Sequence, residues 1–213
     1  MKTLLLALLF ITSTNAMSML GPVKPEYNEE TARFIDKFTE YRLSFFSVDK
    51  FKNKMMKTYG YTQKDFKRFK KYAPLIIDIA NELELDPRIA LAVAWTESNF
   101  KPEAVSWANA EGLMQVKPDT RDYAFTKDAR YKSIITKRLN QGYDYQVLEN
   151  VVAGVIYINY LLAKFDDQQQ AIVAYNMGPR NVYRLLRRNY NLDRHNYYQK
   201  VFNRLVLLVS YNG

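Results

Sequence analysis

Leu85-Asp86-Pro87-Arg88-Ile89-Ala90-Leu91-Ala92-Val93-Ala94-Trp95-Thr96-Glu97-Ser98-Asn99-Phe100 is the stretch on which the fold turns. Asp86 is suited to cap a helix and Pro87 to occupy its first turn, so a helix starts here. Ala90, Val93, Ala94 and Glu97 recur at three- and four-residue steps and share one face. An otherwise apolar face therefore ends in a carboxylate, with Trp95 and Phe100 close by in sequence. A carboxylate in such surroundings is poorly solvated when ionised, and its pKa rises. It can then hold a proton near neutral pH and give it to a leaving oxygen. Glu97 is the candidate acid and base.

Working outward, residues 73–84 carry Ile76, Ile77, Ile79, Ala80 and Leu83 and read as an amphipathic helix. Before them, Thr62 and Asp65 have the spacing of a capping pair that opens a helix after Gly60. Residues 30–57 repeat Phe34, Phe38, Tyr41, Phe45 and Val48 with helical periodicity. Downstream, Pro102, Gly112 and Pro118 break the helical pattern over 99–118, and 119–149 reads as short helices and loops. Residues 150–165 form the next clear helix, with Val151, Val155, Ile158, Leu162 and Phe165 on its apolar side. A helix from Asp167 stops near Gly178-Pro179, a short basic segment fills 181–188, and an aromatic and aliphatic helix covers 196–209. There is no strand pattern and no internal repeat. The fold class expected is mainly α.

The chain has 213 residues, 48% of them apolar, enough for one domain with a real core. It has no cysteine, which excludes disulfides, thiolate ligands and a thiol nucleophile. One histidine, His195, leaves no zinc site of the usual spacing, and no cofactor is expected. Ser98 has no evident base partner for a serine triad, and glycine patterns for nucleotides are absent. Lys2, the apolar run Leu4–Ile11 and the small residue Ala16 predict an export signal over 1–16, too short for a permanent membrane span. Gly21, Pro22 and Pro25 mark a flexible lead after it. The formal charge is +9, concentrated in 50–71 and 180–194, which suits anionic polymers or membrane surfaces. No nucleic-acid recognition motif accompanies it.

Two further groups have chemical potential. Gly112-Leu113-Met114-Gln115 joins a conformationally free glycine to an amide that donates and accepts hydrogen bonds, with the Ser106 hydroxyl in the same stretch. Ala174-Tyr175-Asn176-Met177-Gly178-Pro179 sets a ring and an amide just before a helix stop. Seventeen tyrosines provide rings that can pack on sugar faces.

Together these groups resemble the catalytic domain of the soluble-type lytic transglycosylases (glycoside hydrolase family 23), over roughly residues 72–205. Glu97-Ser98-Asn99-Phe100 is similar to the family's catalytic glutamate motif, and Pro102, Ala104 and Ser106 lead on to Gly112-Leu113-Met114-Gln115, Val116, Pro118 and Thr120. Asn150, Gly154, Tyr157 and Leu161 resemble the next helix, Ala174-Tyr175-Asn176 with Gly178-Pro179 the third motif, and Asp193, Tyr197 and Val201 the last. Trp107 stands where the family often has proline, Asn109 where it usually has glycine, and Asp193 where it has glutamate. The stretch between Thr120 and Asn150 is longer than the family minimum.

The resemblance implies a lysozyme-like domain over 72–213, preceded by a helical extension over 17–71 and the signal over 1–16. It implies cleavage of the β-1,4 bond between N-acetylmuramic acid and N-acetylglucosamine, with 1,6-anhydro ends as product. Glu97 would be the catalytic group, and Ser106, Gln115, Tyr157, Tyr175, Asn176 and Tyr197 would bind substrate, Tyr197 also positioning the glutamate. The partners implied are the glycan strands of peptidoglycan and an envelope-spanning secretion or conjugation complex, in an exported, periplasmic or secreted setting. A hydrolytic muramidase and a murein-binding component without catalysis are the alternatives.

Overall fold

The computed structural model describes residues 48–210. The expected signal, the lead after it and the periodic residues Phe34 to Phe45 lie outside the described residues. All regular structure among the described residues is helical, as expected, apart from isolated bridges pairing Glu111 with Val105 and with Val116.

Helix α1 (Val48–Tyr59) ends at Gly60, whose φ of +66° a side chain would resist. Helix α2 (Gln63–Glu82) opens with the expected capping box, Thr62 and Asp65 each accepting from the other's backbone N–H. It does not stop before residue 73. It runs on through Pro74 and across the expected 71/72 division. A proline inside a helix costs about 3 kcal/mol. Here Phe66, Phe69 and Tyr72 are buried before it and Leu75, Ile76 and Ile79 after it, so burial of one continuous face outweighs the break.

Helix α3 (Pro87–Ser98) is capped by Asp86, as read from the sequence. It is not amphipathic: every residue from Ile89 to Trp95 is buried, because α2, α6 and α9 surround it. Helices α4 (Pro118–Phe125) and α5 (Tyr131–Leu139) fill the polar stretch. Helix α6 (Tyr145–Phe165) starts one turn earlier than the apolar pattern indicates, because Asp144 caps it by accepting from the Gln146 and Val147 amides. By length and hydropathy α6 would also suit a membrane span, but it is the hub of the fold, with α4, α5 and α7 packed on it. Helices α7 (Gln168–Met177), α8 (Pro179–Arg187) and α9 (Asn196–Ser210) complete the described structure, with a short 3-10 turn at Leu192–Arg194. Arg138 on α5 is fully buried and binds Asp78 and Glu82 of α2, at 2.5 and 2.7 Å, tying the polar stretch to the core.

Candidate active site

Glu97 lies in the last turn of α3. Immediately after it the chain leaves the helix through two left-handed residues, Asn99 (φ +53°) and Phe100 (φ +58°). The side chain is half-buried. Burial pushes its pKa up to about 7, and a smaller opposing effect comes from the Tyr197 hydroxyl, which donates to Glu97 Oε1 at 2.6 Å. No charged neighbour among the described residues contributes to that shift. The apolar helix therefore has the electrostatic consequence expected from its sequence. Tyr197 is itself buried on α9, and burial beside Glu97 raises its own pKa far enough to keep the phenol neutral.

The loop over 101–117 follows the helix that carries Glu97, and three side chains set its shape. Ser98 Oγ donates to the Leu113 carbonyl at 2.7 Å and accepts from the Lys101 amide. Asn150 on α6 accepts from the Met114 amide at 2.8 Å and donates to the Glu111 carbonyl at 2.7 Å. Tyr175 on α7 donates to the Met114 carbonyl at 2.8 Å. Two glycines permit this approach. A Cβ on Gly112, where φ is +73°, would come 2.6 Å from Asn150 Cγ, and one on Gly154 would come 2.6 Å from Met114 Sδ. Ser98, which offers no nucleophile triad, is thus a loop anchor.

The structure places the expected substrate-binding residues differently from one another. Tyr197 touches Glu97, and Tyr175, whose pKa is raised mainly by burial, lies close enough for the Glu97 charge to add to that rise. Tyr157 stands next, its ring centre 5.7 Å from that of Tyr175. Gln115 takes a left-handed backbone conformation (φ +49°) and spends its amide hydrogens on the Ala104 and Gly112 carbonyls, so its donors shape the loop while its carbonyl oxygen remains. Ser106 Oγ accepts from the Ala108 and Ala110 amides inside the turn. Asn176 is exposed at the end of α7. Trp107, at the tip of the loop, is 98% exposed, and Asn109 holds φ at +57°, the conformation that the glycine common in the resembled family adopts freely. Asp193 accepts from Gln169 Nε2 at 2.6 Å, which ties the turn before α9 to the first turn of α7.

Sequence reading missed a second layer behind the glutamate. Tyr61 packs edge-on against Trp95, ring centres 5.2 Å apart, and donates to Asn99 Oδ1 at 3.0 Å. Arg68 Nε donates to the Asn99 carbonyl, and Phe69 meets Phe100 at 5.3 Å. These residues precede every recognised motif, and only the aromatic content of 61–72 hinted at buried contacts there.

Residues 74–198 match the family described as Transglycosylase SLT domain. Over 128 residues the chain is 37% identical to the membrane-bound lytic murein transglycosylase C of Haemophilus influenzae (strain PittEE), covering 55% of this chain and 34% of that protein. The protein of the same description from Histophilus somni (strain 2336) is 32% identical over 126 residues, with the same coverage. The chain thus spans about a third of the length of the curated relatives it matches. Among solved structures it is similar to the lytic transglycosylase Slt of Pseudomonas aeruginosa, at 23% identity and a TM-score of 0.48, covering 64% of this chain and 23% of that one. The 70 kDa soluble lytic transglycosylase of Escherichia coli gives 23% identity and a TM-score of 0.46, covering 63% and 24%.

Proposed function

Because the chain belongs to the transglycosylase SLT family, we propose that it is a lytic transglycosylase that cuts the glycan strands of peptidoglycan, with Glu97 as both acid and base. The observation that carries this reading is the Glu97 carboxyl: half-buried, with proton affinity raised to about pH 7, and held by Tyr197 through one oxygen only.

Most glycosidases use two carboxylates. Glu103, Glu111 and Asp119, the acidic residues that follow Glu97 up to α4, are exposed and lack the apolar setting of Glu97. A single carboxyl suits a route in which the substrate supplies its own nucleophile. With Oε1 engaged by Tyr197, the proton sits on Oε2 and passes to the oxygen bridging N-acetylmuramic acid and N-acetylglucosamine. The C1–O4 bond breaks, N-acetylglucosamine leaves as an alcohol, and the muramic N-acetyl carbonyl stabilises the positive C1. The Glu97 carboxylate then takes the proton of the C6 hydroxyl, O6 closes on C1, and the acid is restored. The product ends in 1,6-anhydromuramic acid.

Tyr175, Tyr157 and Asn176 line the substrate path in this reading, with Ser106 and Gln115 forming its loop wall. The relatives named as murein transglycosylases support an exported, periplasmic setting, in keeping with the signal read over 1–16. We assign 17–71 as a helical extension of the domain over 72–213. An envelope-spanning machine that needs local clearance of the wall is the partner such an enzyme suits.

Digestion of purified murein followed by mass analysis tests the reading. Fragments that end in the anhydro sugar, one water lighter than hydrolytic products, are expected. Hydrolytic ends would identify a muramidase, and an untouched substrate would overturn the enzymatic reading.

A further inference from the structure

Helix α1 and the first half of α2 carry a charge pattern that neither the packing nor the Glu97 chemistry uses. Residues 50–71 hold eight lysines and one arginine against a single acid, Asp65. One side of these helices is buried through Met55, Phe66, Phe69 and Tyr72. The other side is exposed and lysine-rich: Lys54 and Lys57 on α1, then Lys64, Lys67, Lys70 and Lys71 on α2. Asp65 is already engaged by Arg68 and by the Thr62 hydroxyl. Among the described residues, no carboxylate forms an ion pair with Lys57, Lys64, Lys67, Lys70 or Lys71.

This array costs the helix stability. Lys64, Lys67 and Lys71 follow at three- and four-residue steps, which sets like charges side by side. Lys64 also lies in the first turn of α2, where the helix dipole disfavours a cation. An anionic partner removes both penalties, and three features select its chemistry. The free cations are all lysines, compact hydrated charges on flexible stems without the fixed fork of arginine, so they suit many mobile phosphates better than one ligand of set geometry. They are spread rather than gathered: Lys64 to Lys71 alone extends about 10 Å along the axis of α2. Met56 is 38% exposed between Lys54 and Lys57. An apolar side chain there adds nothing against a polyanion in water, but it can enter the layer beneath lipid headgroups, as amphipathic basic helices do. The face also borders the turn after Glu97. Phe69 packs on Phe100, and the next residue, Lys101, is exposed and near enough to Asp65 for their charges to interact.

We propose that the lysine face of α1 and α2 docks on an anionic phospholipid bilayer, with Met56 entering the interface, and so holds the Glu97 end of α3 beside the membrane. Docking does not depend on the cleavage proposed above. Binding of the full chain is measured on vesicles of phosphatidylcholine alone and of phosphatidylcholine with an equal part of phosphatidylglycerol. The readout is the preference for the anionic vesicles, to which the uncharged run Leu4–Ile11 contributes nothing. The quadruple replacement Lys57→Gln, Lys64→Gln, Lys67→Gln and Lys70→Gln should lower that preference on the order of 100-fold at low salt, about three- to fivefold per lysine, with circular dichroism unchanged. The loss should shrink as salt screens the parent chain. Replacing four exposed cations elsewhere, Lys132, Arg184, Arg187 and Lys200, by glutamine removes the same charge and should cost less than about threefold. Met56→Gln should weaken vesicle binding by about three- to fivefold and leave binding to long-chain polyphosphate unchanged. An equal loss in the two quadruple variants would reduce the effect to net charge and overturn the proposal, as would a parent chain that shows no preference for anionic vesicles. An unchanged Met56→Gln would assign the face to a soluble polyanion instead of a bilayer. A matching loss of murein digestion in solution by the α1–α2 variant would assign it to the substrate, and either result overturns the lipid reading.

Discussion

At Glu97 two influences oppose one another: burial raises the proton affinity, and the hydroxyl of Tyr197 lowers it by a smaller amount. The balance gives three expectations. Glu97→Gln keeps size and hydrogen bonding but can neither donate nor recover a proton, so release of anhydro fragments should fall by at least the 10²–10⁴-fold typical of general acid–base catalysis, roughly, with circular dichroism unchanged. Tyr197→Phe removes the donor that favours the carboxylate. The Glu97 pKa should then rise above about 7, and the alkaline limb of the kcat/KM profile should move to higher pH even as the maximum falls. A limb that stays in place would mean that Tyr197 acts only as packing. The third expectation concerns stability. The folded pKa lies above the ordinary value of 4.5, so the folded chain keeps a proton that the unfolded chain has released. The associated stability is fully present below pH 4.5 and is lost as pH rises towards 7. Urea titrations should find Glu97→Gln level with the parent at pH 4 and more stable by about 3 kcal/mol at pH 8.

At the scale of elements, the legible parts were those written in local chemistry. Thr62 with Asp65, and Asp86 with Pro87, announce helix starts because capping involves residues only two or three positions apart. The continuity of α2 through Pro74 was not legible, because the cost of a proline is local whereas its compensation, the buried face of α2, depends on distant partners. The same holds for the loop over 101–117. Gly112 was recognisable as a place of close approach, but Asn150, which fills the space where a Cβ would go, stands 38 residues further on. Gly112→Ala should therefore cost about 2–4 kcal/mol, combining positive-φ strain with displacement of Asn150, and should lower activity by disturbing the loop. Gly142, at φ +85° but with open space around it, is the control: alanine there should cost about 1 kcal/mol. Denaturation midpoints of the two variants compare them directly, and equal losses would show that the Asn150 contact is dispensable.

For the molecule as a whole, the question is where the domain begins. The family match starts at residue 74, and sequence reading set the division at 71/72. Helix α2 crosses both points without interruption. The residues before them hold the far end of the helix that carries Glu97: Tyr61 against Trp95 and Asn99, Arg68 on the Asn99 carbonyl, Phe69 on Phe100. Asn99 and Phe100 are the left-handed pair that turns the chain away directly after Glu97, a conformation that non-glycine residues keep only when their surroundings hold it. None of this was legible, since an aromatic helix can cover any apolar surface and nothing in its spacing names the partner. Two truncations separate the alternatives. A chain that begins at residue 48 keeps α1 with its fully buried Met55, the capping box and all three contacts, and should retain the melting temperature and murein cleavage of the longer chain. A chain that begins at residue 72 loses Tyr61, Phe66 and Phe69 from the core, each a buried aromatic whose removal costs about 3–5 kcal/mol when truncated to alanine. That sum approaches the whole stability of a small domain, about 5–15 kcal/mol. The shorter chain should therefore be largely unfolded at 25 °C. The milder variant Tyr61→Phe keeps the ring on Trp95 but releases Asn99; it should stay folded and lose activity by about three- to tenfold, the scale of one hydrogen bond of about 1 kcal/mol. Full activity in folded Tyr61→Phe would show that the turn after Glu97 holds its shape without the extension.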